Sequence, residues 1–135
     1  FGENCALLSA CNSGELPHVL VVDSIGLLSE LYSDSDIAYI GGGYTGKLHN
    51  VIEPAAKKNV ILFGSKIDHF PEAVEMEKAG FAKRIKSQKE LKETLFSFIS
   101  KPDELNEMKD KSSEFVKKKR GATQIVFEEL KPYLK

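Results

Sequence analysis

Three short apolar runs, Val19-Leu20-Val21-Val22, Ile37-Ala38-Tyr39-Ile40 and Val60-Ile61-Leu62-Phe63, limit the folds open to this chain more than any other feature. Each run is continuous. A strand wetted on one face alternates apolar with polar residues, whereas a strand covered on both faces has no reason to. Such strands need cover above and below, and the sequence between them supplies it at helical spacing. Strand–helix alternation of this kind builds a parallel sheet with helices on both faces. The expected fold is therefore α/β, a Rossmann-like three-layer arrangement.

The covering segments can be read in order. Leu27, Leu28, Leu31 and Tyr32 share one helical face, with Ser24 placed to cap its start. Asn50 to about Lys58 reads as a second helix. Phe70, Ala73 and Val74 mark a third, with Asp68 as its simplest cap and Gly80 as its left-handed stop. Phe81 to Ile85 is a shorter, more exposed strand. Ser87-Gln88-Lys89-Glu90 is a capping box ahead of Leu91, Leu95, Phe98 and Ile99. Pro102 opens a helix carrying Leu105, Met108, Phe115 and Val116. Gly121 breaks it, and Thr123 can cap a last helix ending near Tyr133. Phe96, Phe98, Phe115 and Phe127 sit at helical spacings and are expected in the core. Cys5 to Leu8 is ambiguous, an edge strand being one reading. No linker divides the 135 residues, so one domain is expected over 1–135, closed by the helices from about 102 to 134.

Several classes of function are disfavoured. The formal net charge is -1, so no global field draws the chain to nucleic acid or a membrane. No apolar run approaches the roughly 20 residues that span a bilayer. The chain starts at Phe1 with no signal-peptide pattern and reads as a piece of a longer protein. Cys5 and Cys11 lack zinc-site spacing; reduced thiols are expected, a local disulfide being the alternative. No metal or cofactor is expected. No nucleophile–base pair, HExxH motif or acid–base carboxylate pair is evident, so no catalytic residue is assigned. Lys117-Lys118-Lys119-Arg120 is expected to be a solvated helix face, with contact to anionic lipid headgroups as the alternative.

Ligands of open α/β sheets bind at the carboxyl ends of the strands, and three loops there carry suitable groups. Gly41-Gly42-Gly43-Tyr44-Thr45-Gly46 follows a strand. Consecutive glycines let backbone approach a ligand and offer N–H groups to a phosphate; a tight turn needing positive φ is the plainer reading. The run matches neither GxGxxG nor GxxxxGK[ST]. In His49-Asn50-Val51-Ile52-Glu53-Pro54, Asn50 and Glu53 form a capping box. The same Glu53 is placed to accept both hydroxyls of a ribose. His49 is either a phosphate donor or a satisfied loop histidine. Asp23-Ser24-Ile25-Gly26 is a strand-to-helix connection or a backbone platform for a base.

Taken together, the run from Val19 to Gly26, Leu31-Tyr32, Asp36 to Gly43, His49 to Ala55 and Phe63-Gly64 resembles the C-terminal half of bacterial 3-deoxy-D-manno-octulosonic acid (Kdo) transferases. The glycine loop followed by His-Asn-x-x-Glu-Pro is its most diagnostic part. The resemblance is close from Val19 to Ile85 and looser beyond. It implies one half of a GT-B fold, a C-terminal nucleotide-sugar-binding domain whose donor is CMP-Kdo. The acceptor would be a lipid A precursor, bound mainly by an N-terminal half that also holds the catalytic base, at the cytoplasmic face of the bacterial inner membrane. The resemblance places Gly42 and Gly43 near the donor phosphate or sugar, with Gly41 counted in the same site, and Asn50 at the phosphate end. It places Glu53 on the ribose hydroxyls, and Ile25 and Gly26 near the cytosine. The chain departs from the family at Lys58-Asn59-Val60, where a Gly-x-Pro turn is usual. The alternatives are a GT-B domain for a UDP- or GDP-sugar and a non-catalytic α/β nucleotide-binding module.

Overall fold

The computed structural model describes residues 4–11 and 17–134. The chain forms two compact units, Phe1–Leu31 and Tyr32–Lys135. In the first, β1 (Cys5–Leu7) pairs in parallel with β2 (Val19–Val21), Cys5 standing opposite Val19 and Leu7 opposite Val21. Cys5 to Leu7 is thus a strand, and both cysteines carry free thiols. Asp23 ties the ends of the two strands together. Its carboxylate accepts the Ser9 N–H at 3.1 Å and the Ser9 hydroxyl, and these bonds hold its pKa below the usual carboxylate value. The helix expected from Ser24 is a single turn, α1 (Leu28–Leu31). Ser24 does not cap it, because Gly26 at φ +97° turns the chain out of helical conformation between them.

The second unit contains β3 (Ile37–Ile40), α2 (Ile52–Ala56), β4 (Val60–Gly64), α3 (Pro71–Lys78), β5 (Ala82–Ile85), α4 (Gln88–Ser100), α5 (Pro102–Lys118) and α6 (Ala122–Leu130). Its sheet is parallel with order β3-β4-β5. The middle strand β4 is buried along its whole length, as its unbroken apolar run requires. Ile61 and Phe63 join Ala38, Ile40, Val51, Ala55, Ile67, Ala73, Met76, Phe81 and Ala82 in one core. Phe115 tilts against Phe81 at 5.3 Å between ring centroids. Phe96 and Phe127 are exposed instead, at 60% and 50%. In α4, Thr94 is the buried position and Leu91, Leu95 and Phe98 are half-buried, which leaves Phe96 and Ile99 on the outward side.

Of the later caps, one forms and two differ from expectation. The α4 box forms, with Ser87 Oγ accepting the Glu90 N–H at 3.2 Å. The Glu90 carboxylate takes the N–H of Lys86, one residue before the cap, at 2.8 Å. Asp68 caps nothing; Pro71 occupies the first turn of α3 and Asp68 pairs with Arg84. Gly121, at φ +127°, is the N-cap of α6, and Thr123 lies inside the helix. Gly80 does end α3 as expected, at φ +82°, donating its N–H to Glu77 O at 3.1 Å. Helix α5 packs on α2 through small residues: Ser112 and Ser113 are buried, and Ser112 Oγ donates to Lys109 O at 2.7 Å and to Ala55 O at 3.3 Å.

The turn between α2 and β4 is made by Lys58 and Asn59, without a glycine. Lys58 itself adopts φ +66°, and its amine pairs with Asp110 at 2.8 Å. Asn59 is fully buried. Its amide nitrogen donates to Tyr32 O at 2.7 Å, Pro54 O at 3.2 Å and Lys57 O at 3.3 Å, and its oxygen accepts from the Ser35 hydroxyl. A buried amide with all its bonds made is a strong anchor, because removing it strands its partners. Asn59→Ala is expected to lower the unfolding free energy by about 2–3 kcal/mol, read by chemical denaturation against the native sequence.

Candidate functional site

The site begins where β3 and β4 end. Gly43 is buried, and its backbone lies directly on that of Gly64: a Cβ built on Gly43 would come within 2.5 Å of the Gly64 nitrogen. A Cβ on Gly64 would sit 2.6 Å from the Gly43 carbonyl carbon and 2.8 Å from the Tyr44 ring. The contact is sealed by the Lys66 N–H, which donates to Gly43 O at 2.7 Å. Gly42 has φ +83°, and a Cβ there would overlap Lys47 O. Its carbonyl accepts from the N–H groups of Thr45 and Lys47 and from the Thr45 hydroxyl, each at 3.0 Å. The triple glycine is thus a tight turn of bare backbone, as its plainer reading has it. Among the described residues, the N–H groups of Gly42, Gly43 and Tyr44 have no backbone acceptor.

The chain then returns to this turn. The His49 N–H donates to Gly41 O at 3.2 Å, and the imidazole lies against Gly41. Asn50 Oδ1 accepts the N–H of Ile52 at 2.9 Å and of Glu53 at 3.5 Å. The asparagine thus caps the first turn of α2 from one position before the N-cap residue, Val51, which makes no side-chain cap of its own. The helix is only five residues long, not the Asn50 to Lys58 run expected, since Lys57 and Lys58 already belong to the turn. So short a helix has little macrodipole, and the free N–H groups of the glycine turn are the stronger anion-binding feature. The Glu53 carboxylate does not reach back to Asn50. It is half-buried and has no hydrogen-bond or ion-pair partner among the described residues. Tyr32 lies near it, and burial together with the Glu53 charge raises the Tyr32 phenol above its ordinary pKa.

Beside these groups is a cleft of about 290 Å³, lined by Leu48 to Ile52 on one wall and by Phe70 and Glu72 on the other. The second wall was not legible in the sequence, where Phe70 and Glu72 look like ordinary first-turn residues. Gly41, Gly42, Gly43, His49, Asn50 and Glu53 all come together in the second unit. Ile25 and Gly26 belong to the first. The Ile25 side chain is wholly exposed, and nothing lies within 4 Å of the position a Gly26 Cβ would take. No group of three or more His, Cys, Asp or Glu side chains suited to a metal occurs among the described residues. No described helix is long and apolar enough to cross a membrane.

No protein-family model matches the chain. It is 30% identical over 130 residues to the 3-deoxy-D-manno-octulosonic acid transferase of Haemophilus influenzae, across 91% of this chain and 30% of that protein. It is 33% identical over 100 residues to the transferase of the same description from Aquifex aeolicus, across 71% of this chain and 28% of that protein. A probable mitochondrial 3-deoxy-D-manno-octulosonic acid transferase of Arabidopsis thaliana is 35% identical over 91 residues. The chain thus spans less than a third of the length of these relatives. Among solved structures, the C-terminal CMP-Kdo binding domain of WaaA from Acinetobacter baumannii superposes with a TM-score of 0.70 over 82% of this chain and 59% of that one, at 16% identity. The Rossmann-like α/β fold is shared with that domain, and the family resemblance extends over most of the sequence.

The glycine contact generates its own test. Gly43→Ala must force apart two backbones and is expected to cost about 1–3 kcal/mol. Gly46→Ala meets open space and bears only the strain of φ +70°, about 1 kcal/mol. Denaturation of the two variants side by side, with the larger loss at Gly46, would refute the close-approach account.

Proposed function

We propose that this chain, a relative of the 3-deoxy-D-manno-octulosonic acid transferases, is the donor-binding domain of a glycosyltransferase that moves Kdo from CMP-Kdo to a lipid A precursor. The observation that carries the reading is the pairing of bare glycine backbone at the end of β3 with Glu53, in the first turn of α2, which has no hydrogen-bond or ion-pair partner among the described residues. Phosphate needs N–H donors, and a ribose diol needs a carboxylate that nothing else occupies. Gly41, Gly42 and Gly43 approach the phosphate and the sugar, and Asn50 and His49 stand at the phosphate end. Glu53 accepts the ribose hydroxyls. In the first unit, the fully exposed Ile25 with the adjoining Gly26 offers a surface suited to a nucleotide base.

In the reaction, a base on the rest of the protein takes the proton from an acceptor hydroxyl. That oxygen attacks the anomeric carbon as its bond to the CMP phosphate breaks, inverting the centre. This domain positions the donor and stabilises charge developing on the departing CMP through fixed N–H groups. The lipid acceptor locates the work at the cytoplasmic face of the bacterial inner membrane.

The test is a titration of the intact protein with CMP, UMP and GMP, followed by amide NMR. CMP is expected to shift Gly41 to Gly43 and Asn50 to Glu53, and Glu53→Ala to weaken it at least about tenfold, since a bond to a charged group contributes about 1.5–3 kcal/mol. Equal binding of UMP or GMP would point to a UDP- or GDP-sugar donor. No binding of any nucleotide would sink the donor-domain reading.

A further inference from the structure

The cleft has two walls of different construction. The wall from Leu48 to Ile52 is tied to the glycine turn through the His49 N–H on Gly41 O and the cap at Asn50. The wall carrying Phe70 and Glu72 is the start of α3, reached from Gly64 through Ser65 to His69, a segment with no helix or strand of its own. Its ends are held: Lys66 N–H donates to Gly43 O, Ile67 is fully buried, and Phe70 N–H donates to Ile67 O at 2.9 Å.

What spans the segment is a side chain from a different strand. Arg84, in β5, donates from Nη1 to Ser65 O at 3.3 Å and to Asp68 Oδ1 at 2.9 Å. Its Nε and Nη2 meet the Glu77 carboxylate in α3, at 3.0 Å and 2.8 Å. One planar group thus grips the beginning of the loop, its middle and the helix that follows. Only a guanidinium can do so, because its donors point in fixed directions within one plane; an ammonium presents one compact charge. The Arg84 side chain is 24% exposed, against 74% for Asp68, so the loop is pinned onto the strand rather than the reverse.

We infer that Arg84 is a positioning residue for the donor cleft. It fixes the Phe70–Glu72 wall relative to the glycine turn, and the inference rests on the donor-binding function proposed above. Arg84 lines no part of the cleft and acts through the loop and α3.

The test uses the intact transferase with Arg84→Lys, Glu77→Gln and Asp68→Asn. Arg84→Lys is expected to raise the KM for CMP-Kdo and the Kd for CMP about tenfold, as misplacement of a binding wall does. The acceptor KM and kcat are expected to stay within about twofold, the signature of lost donor positioning rather than lost chemistry. Glu77→Gln and Asp68→Asn are expected to move the same constants less, and amide exchange from 65 to 70 to quicken in all three. A lowered Tm with donor KM and CMP Kd unchanged would mean the network serves stability alone and would overturn the inference. Should Arg84→Lys not fold, Asp68→Asn removes one arm at an exposed position and carries the same comparison. Native protein that fails to bind CMP would bring down the donor reading and this inference together. Native binding that survives unaltered in the variants would bring down this inference only.

Discussion

The contact between the backbones of Gly43 and Gly64 is the constraint from which the rest of the site follows. Two parallel strands, β4 covered on both faces and β3 beside it, end side by side, and the chain must leave both without losing the pairing. With no Cβ at either position, the two main chains meet directly, and Lys66 N–H bonds across to Gly43 O. That junction fixes the glycine turn in front and the segment to α3 behind. The His49 return to Gly41, the Asn50 cap and the Glu53 carboxylate are all placed relative to it. Bare backbone is thus needed for packing first, and its availability to an anion comes from the same cause.

Much of this was legible because each signal arises from strong local physics. Of the three unbroken apolar runs, Val60 to Phe63 becomes a fully covered strand, whereas Val21, Val22 and Tyr39 in the other two are exposed, so continuity marked strands without showing that both faces are covered. Asn50 and Ser87 cap helices because a short polar side chain can satisfy N–H groups that the helix leaves open. What misled was context. Ser24 looked like a cap, yet Gly26 at positive φ stands between it and the helix. Asp68 looked like a cap, yet Arg84, sixteen residues on, recruits it. Phe96 and Phe127 keep helical spacing and still face outward. Periodicity shows which residues share a face, but not whether anything lies against it. The far wall of the cleft and the Arg84 fork depend on contacts distant in sequence, for which no local pattern exists.

The Lys58–Asn59 turn meets by other means the need that a Gly-x-Pro turn would meet. A Gly-x-Pro turn uses a residue free to adopt positive φ and a second one stiffened by its ring. Here Lys58 takes the left-handed conformation with a Cβ present, and Asn59 supplies stiffness through hydrogen bonds to Tyr32, Pro54 and Lys57 instead. The strain at one residue is offset by the anchoring of the next. The turn also gains ties to α5 through Lys58 and Asp110, so α2, β4 and α5 meet at a polar knot rather than at a rigid ring.

Glu53 leaves a different mark on how such a chain can change over generations. A half-buried carboxylate with no hydrogen-bond or ion-pair partner among the described residues adds no evident tie within the domain. Selection for folding alone therefore has no reason to retain it, and many neutral replacements would serve the short helix α2 as well. On the function proposed above, its presence answers a demand from outside the fold. Where drift relaxes that demand, the acid at position 53 should be lost while Gly43 and Gly64 persist, so the two kinds of position would part company in lineages that keep the scaffold and abandon the ligand.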